Sequence, residues 1–159
     1  MTREQIKELW SSNDASIKGT KMHYDIECHY NGLNVENDSV EFGYFLKFAE
    51  DYANLKPYRT EWIVFYEELR LAGSIDMVFK DKNDDLWIYD WKRTKELSPE
   101  AFGNKTSHTP CISHLPDCNF WHYSLQLNIY RGVLERKYGQ KIKGMCLVRL
   151  HPDNAYKTY

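Results

Sequence analysis

Hydrophobic positions fall at helical spacing in the first third of the chain and at strand spacing in the middle. Met22, Ile26 and Tyr30 mark one helical face, and the pattern predicts helices near Glu4–Ser11, Gly19–Tyr30 and Val40–Ala53, with Thr20 near the start of the second. Three strands are expected between Thr60 and Lys92. One runs through Leu69–Phe79 around Ala72-Gly73, and another, rich in aromatic and β-branched residues, covers Leu86–Lys92. The polar run KDKNDD between them reads as a turn, so the two form a hairpin. A long connection, Ser98–Cys118, leads to a helix over Asn119–Tyr138 with Leu125, Ile129, Val133 and Leu134 inward and Gly139 at its end. Lys143–His151 reads as the last strand. Helices, a three-strand meander, a helix and a returning strand together predict an α/β sandwich whose central sheet is mixed.

Candidate chemistry lies on the hairpin. Asp90 and Lys92 are two apart, so they share a face of their strand while Trp91 points to the other. A turn centred near Asn83 brings Asp76 opposite Asp90. Two carboxylates that close repel unless a cation lies between them, and their oxygens suit Mg²⁺ or Mn²⁺. An ammonium on the same face can orient a water and stabilise developing charge on a phosphate. The competing interpretation is a solvated hairpin with a cross-strand ion pair, the usual fate of surface charges. Two helical stripes add context: His23 and Glu27 are four apart, as are Gln126 and Tyr130.

Taken in order, GTKMHYDIE, GSID, YDWKR and QLNIY resemble the motifs of the PD-(D/E)xK nuclease superfamily, in its RecB-like, lambda-exonuclease-type branch. The resemblance runs from about Lys18 to Leu150. It implies a restriction-endonuclease-like α/β core, a central mixed β-sheet flanked by helices. It also implies Mg²⁺- or Mn²⁺-dependent hydrolysis of DNA phosphodiesters, exonucleolytic or acting on single strands and ends, with one or two ions. By resemblance, Asp76 and Asp90 are acidic ligands, Lys92 is the catalytic lysine, and His23 completes the metal site. Trp91 offers its backbone carbonyl to the metal while its side chain joins the core. Gln126 and Tyr130 support the lysine or the DNA strand. Glu61 stands where the family's first core strand often carries an acid, and Glu27 is a candidate partner of His23 or Lys92. His114 to Tyr130 is similar to segments of nuclease-like proteins from large DNA viruses, which suggests a viral source.

Composition narrows the remaining possibilities. The chain has 159 residues, 42% of them hydrophobic, which fits one domain over residues 1–159. The end at Tyr159, soon after the last expected strand, fits a domain cut from a longer polypeptide. No apolar run reaches bilayer-spanning length and the start lacks the order of a signal peptide, so a soluble intracellular protein of cytoplasm, nucleus or viral replication site is expected, with no membrane partner. The net charge of −2 provides no global field for nucleic acid, so affinity must come from local patches and metal. Aromatic residues make up 15% of the chain; Tyr24, Phe120, Trp121 and Tyr123 are candidates to stack unpaired bases. The four cysteines are irregularly spaced and expected to be reduced, with no disulfides and no iron–sulfur cluster.

Other readings remain open. Viral cap-snatching RNA endonucleases combine a helix histidine with the same acids and lysine. A catalytically silent nucleic-acid-binding scaffold would keep the fold. His108, Cys111, His114 and Cys118 have ligand-like separations for zinc. The Ser98–Cys118 loop is long enough to gate or grip a substrate. Exonuclease or endonuclease action, polarity, and any helicase or polymerase partner are not legible in these residues.

Overall fold

The computed structural model describes residues 2–159; Met1 and the side chains of residues 3–13 lie outside that description. Helix α1 spans Arg3–Tyr30 and α2 spans Val40–Asp51. Strands β1 (Lys56–Tyr66), β2 (Leu71–Lys80) and β3 (Leu86–Lys92) follow. Helix α3 (Asn119–Lys137) crosses to β4 (Ile142–His151), and β5 (Asn154–Thr158) closes the fold.

The five strands lie in chain order in one mixed sheet. β1, β2 and β3 pair antiparallel, β3 and β4 parallel, and β4 and β5 antiparallel. The parallel step is where α3 crosses over, because parallel neighbours need a long connection. The hairpin register follows from its turn: Asp81 Oδ1 accepts the backbone N–H groups of Asn83 and Asp85, and Oδ2 accepts Trp87 Nε1–H. That turn sets Met77 opposite Tyr89 and, one step further, Asp76 beside Asp90.

Apolar residues cover both faces of the sheet. On one, Met22 and Ile26 of α1 and Phe42, Phe45 and Phe48 of α2 pack on Met77, Phe79, Tyr89 and Trp91. The Trp91 ring is 1% exposed, edge-on to Phe45 and Phe48. On the other face, Leu127, Val133 and Leu134 of α3 pack on Val64, Val78, Ile88 and Leu147. Burying aromatic rings on the α2 side contributes most per residue, since each removes the largest apolar area from water.

Three details differ from the sequence pattern. The two amino-terminal helices are one continuous helix, because the polar run Ser11 to Ser16 stays helical instead of capping a break. The hairpin partner β5 follows Pro152-Asp153, a turn too short to stand out. In α3, Leu125 is only half-buried and Ile129 is 50% exposed. There the sheet-facing stripe centres on the fully buried Leu127, Val133 and Leu134, with Phe120, Tyr123 and Tyr130 partly buried beside them.

Arg93, directly after β3, is tied to α2. Its Nε donates to Glu41 Oε1 at 2.7 Å, and both side chains are almost fully shielded. Burial works against the Glu41 carboxylate, but the guanidinium outweighs it and holds the carboxyl below its ordinary value. Glu41→Ala leaves a buried guanidinium without its counter-charge and is expected to cost about 3–5 kcal/mol, read as a lower urea midpoint; an unchanged midpoint would show that the pair contributes nothing net. Among the described residues no helix is long and apolar enough to cross a membrane.

Candidate active site

The amino-terminal half of β2 and the carboxyl end of β3, which lie side by side in the antiparallel hairpin, meet α1 and α3 around a cluster of polar groups. His23 comes from α1, on the helix that packs Met22 and Ile26 against the sheet. Its Nδ1 lies 3.4 Å from Asp76 Oδ2 and 4.0 Å from Glu61 Oε1. One donor atom from each of His23, Glu61 and Asp76 lies within 4.8 Å of the others, the one such three-residue group among the described residues.

Glu61 reaches this cluster through an irregular backbone. Its φ is 42° in the interior of β1, where the flanking pairs Thr60–Met77 and Trp62–Ile75 leave Glu61 and Asp76 between them. A left-handed non-glycine residue costs about 1–3 kcal/mol and persists only where its surroundings hold it. Here Ser74 Oγ donates to Glu61 Oε2 at 2.8 Å, fixing the carboxylate beside His23.

Asp76 is turned inward, and its Oδ2 accepts the Trp91 N–H at 2.9 Å. Asp90 is 3% exposed. Its Oδ2 lies 2.8 Å from Lys92 Nζ, a close buried ion pair. Burial raises both carboxyls, to about 6 each. Lys92 and the Trp91 N–H pull Asp76 back down, whereas Asp76 pushes Asp90 further up. Burial lowers the His23 pKa against the pull of Glu61 and Asp90, and a hydrogen bond to the Trp91 backbone favours its protonated form. The Trp91 peptide thus faces the site through its backbone while its ring belongs to the core.

Lys92 Nζ is held on three sides. Besides Asp90, it lies 3.5 Å from Gln126 Oε1 and 4.5 Å from the centre of the Tyr123 ring. Gln126 Nε2 in turn donates to Tyr130 OH at 3.1 Å. Tyr130 packs so closely over Gly73 that a Cβ there would lie 2.7 Å from its ring, which accounts for the glycine of GSID. Gln126 and Tyr130 also line an apolar groove of about 310 Å³ with Val64, Leu71 and Ile129.

Glu61, read in the sequence as a supporting acid, sits among the candidate ligands, while Asp90 faces Lys92. Glu27 lines the same cleft as His23 and Glu61 and makes no hydrogen bond or ion pair with His23 or Lys92. Tyr123 lies under the lysine instead of standing free; its spacing of three before Gln126 was the available signal. The His108–Cys118 residues are not gathered: Cys111 is exposed and Cys118 Sγ donates to Ser98 O. All four cysteines are free thiols.

The donor set fits a hard divalent cation. Glu61 and Asp76 supply carboxylate oxygen and His23 adds one imidazole nitrogen. Buried carboxyls raised to about 6 also release their protons readily to a cation at neutral pH.

A family model described as the PD-(D/E)XK nuclease superfamily matches residues 4–158. Among solved structures, the chain is similar to a crystal structure of a repair endonuclease from Pyrococcus abyssi at 18% identity and a TM-score of 0.40. That likeness covers 77% of this chain and 42% of the other, so the chain spans less than half the length of that protein. No curated protein matches the chain. The matched family region contains every residue of the cluster, and the chain belongs to the PD-(D/E)XK nuclease superfamily.

Proposed function

We propose that the chain is a single nuclease domain of the RecB-like branch that hydrolyses DNA phosphodiesters with Mg²⁺ or Mn²⁺, acting on strand ends or single strands. The observation that carries this reading is the placement of the Lys92 ammonium, 2.8 Å from Asp90 and 3.5 Å from Gln126, beside the cluster of His23, Glu61 and Asp76. His23, Glu61, Asp76 and Asp90, with the Trp91 carbonyl, would hold the ions. When bound, the metal supplies Lewis acidity, activating water and neutralising phosphate charge.

The chain's own groups do the rest. Lys92 donates hydrogen bonds from Nζ, which orients the attacking water and stabilises negative charge as it grows on the phosphate. Asp90 keeps that ammonium facing the site, and Gln126 limits its swing. The Tyr123 ring presents its negative face to the cation, an attraction of about 0.5–2 kcal/mol. Tyr123→Leu is therefore expected to lower kcat by up to about tenfold with KM unchanged, while Tyr123→Phe keeps the ring and the rate. Equal rates for Leu and Phe would exclude the ring's role.

End-labelled single-stranded DNA, duplex DNA and RNA, each with Mn²⁺, Mg²⁺ or EDTA, test the reading. Metal-dependent DNA cleavage supports it; a folded protein inert on all three substrates overturns it. The helix histidine beside a first-strand acid, 4.0 Å apart, favours an RNA endonuclease as the second reading, and preferential RNA cleavage in the same assay would select it.

A further inference from the structure

We propose that the cleft beside His23 is a subsite for one unpaired nucleobase, with the Tyr24 ring as its stacking platform and Glu27 as acceptor for the base's exocyclic amine. The inference rests on the nuclease reading and adds its substrate class: strands whose bases are free, carrying an amino-bearing base next to the cut.

Of the four aromatic residues suited to stacking, three are engaged. Phe120 is packed against Trp121 and Tyr159, Trp121 is tied by Nε1–H to Pro99 O, and Tyr123 lies under Lys92. Tyr24 is 62% exposed; its hydroxyl is turned to the Cys28 side chain, and among the described residues its ring has no aromatic or cation partner. It lines a cleft of about 390 Å³ with Gly19, Thr20, His23, Glu27 and Glu61. Gly19 leaves open space around its Cα, so that end of the cleft admits a flat ring.

Charge decides which part of a nucleotide enters. Among the described residues the lining holds two carboxylates and neither Lys nor Arg; Glu61 and His23 belong to the candidate metal ligands at one end, which draw a phosphate, while Glu27 at the Tyr24 end repels a phosphate and accepts a neutral base. Among the described residues the Glu27 side chain has no hydrogen-bond or ion-pair partner, and an ionised carboxylate only accepts. Cytosine N4, adenine N6 and guanine N2 offer the matching amine. Thymine and uracil flank their one N–H with carbonyl oxygens that repel a carboxylate. Inside a duplex the faces of every base are covered by its neighbours, so the subsite takes a base onto the Tyr24 ring only after it has left the stack.

The test uses the whole chain and two readouts. With Mn²⁺, cleavage of oligo(dC), oligo(dT) and a blunt duplex is compared for wild type, Tyr24→Ala, Tyr24→Trp and Glu27→Gln. With Ca²⁺, binding of a single-stranded oligonucleotide carrying 2-aminopurine reports stacking by fluorescence quenching. Loss of one stacked base raises KM for oligo(dC) by about tenfold in Tyr24→Ala, with kcat nearly unchanged, restored KM in Tyr24→Trp, and quenching lost with Ala alone. Glu27→Gln, which both donates and accepts, erases the preference for oligo(dC) over oligo(dT). Wild type that cleaves, with KM and quenching unmoved in Tyr24→Ala, overturns the subsite and leaves the nuclease reading standing. Wild type that is inert yet quenches through Tyr24 keeps the subsite and overturns the nuclease reading, and absence of both signals overturns both.

Discussion

Asp76→Asn is expected to abolish turnover and, at the same time, to stabilise the metal-free protein. The loss of activity should reach about three orders of magnitude, the scale on which removal of one charge-organising group acts. The gain in stability follows from proton linkage. Burial raises the Asp76 carboxyl from 3.8 to about 6, whereas the unfolded chain releases that proton near the ordinary value. Between those values the native state binds more protons than the unfolded one, so stability falls as pH rises from about 4 through about 6. By about pH 7.5 the deficit is fully present, roughly 3 kcal/mol for a shift of about two units. Asparagine carries no charge to desolvate and still accepts the Trp91 N–H.

In EDTA the variant should therefore have a higher urea midpoint than wild type at about pH 7.5 and nearly the same one at about pH 4. Asp90, also raised to about 6, acts in the same direction. His23, held below its ordinary pKa by burial, acts in the opposite one: its native state resists protonation, so stability falls as pH drops below the ordinary histidine value. Comparing wild type with Asp76→Asn reduces that contribution. A divalent ion should raise the wild-type midpoint near neutral pH, where the carboxylates are free to bind it, and do less in the variant. An Asn variant that cleaves normally, or is less stable than wild type near neutral pH in EDTA, would remove Asp76 from the site as drawn.

Lys92→Ala should be equally damaging to turnover and opposite in its effect on the acids. The ammonium lowers both Asp76 and Asp90, so without it the two carboxyls hold their protons to higher pH. The expected result is a loss of about 10²–10³-fold or more in kcat, together with an upward shift of the pH at which metal begins to stabilise the fold. Thermal unfolding with and without Mn²⁺ across the pH range, alongside single-turnover cleavage, reads both. Full activity in the variant would refute the role given to Lys92; an unshifted metal-binding pH would refute its coupling to the aspartates.

Much of this arrangement was legible in the residues themselves. Period-two alternation in YDWK puts Asp90 and Lys92 on one face and Trp91 on the other. KDKNDD sets a turn whose centre determines that Asp76 meets Asp90, and the observed register keeps that relation. These are local facts, fixed by backbone geometry within a hairpin. The glycine of GSID was visible as a letter, but its reason was not: Tyr130, from a helix more than fifty residues later, occupies the space a Cβ would need.

The rest depends on which distant surfaces meet. Leu125 and Ile129 look inward by hydrophobicity, yet α3 buries Leu127, Val133 and Leu134 against the sheet with Phe120, Tyr123 and Tyr130 partly buried beside them, and that rotation brings the Tyr123 ring to Lys92. Glu61 carries no local mark of a ligand; its left-handed backbone and the Ser74 hydrogen bond turn it toward His23. Sequence alone determined the strand faces, the hairpin register and the acid–lysine pair, since each follows from dihedral geometry over a few residues. The tertiary structure decided the helix phase, the third member of the cluster and the exposed Tyr24 cleft, since those follow from close packing between elements far apart in the chain.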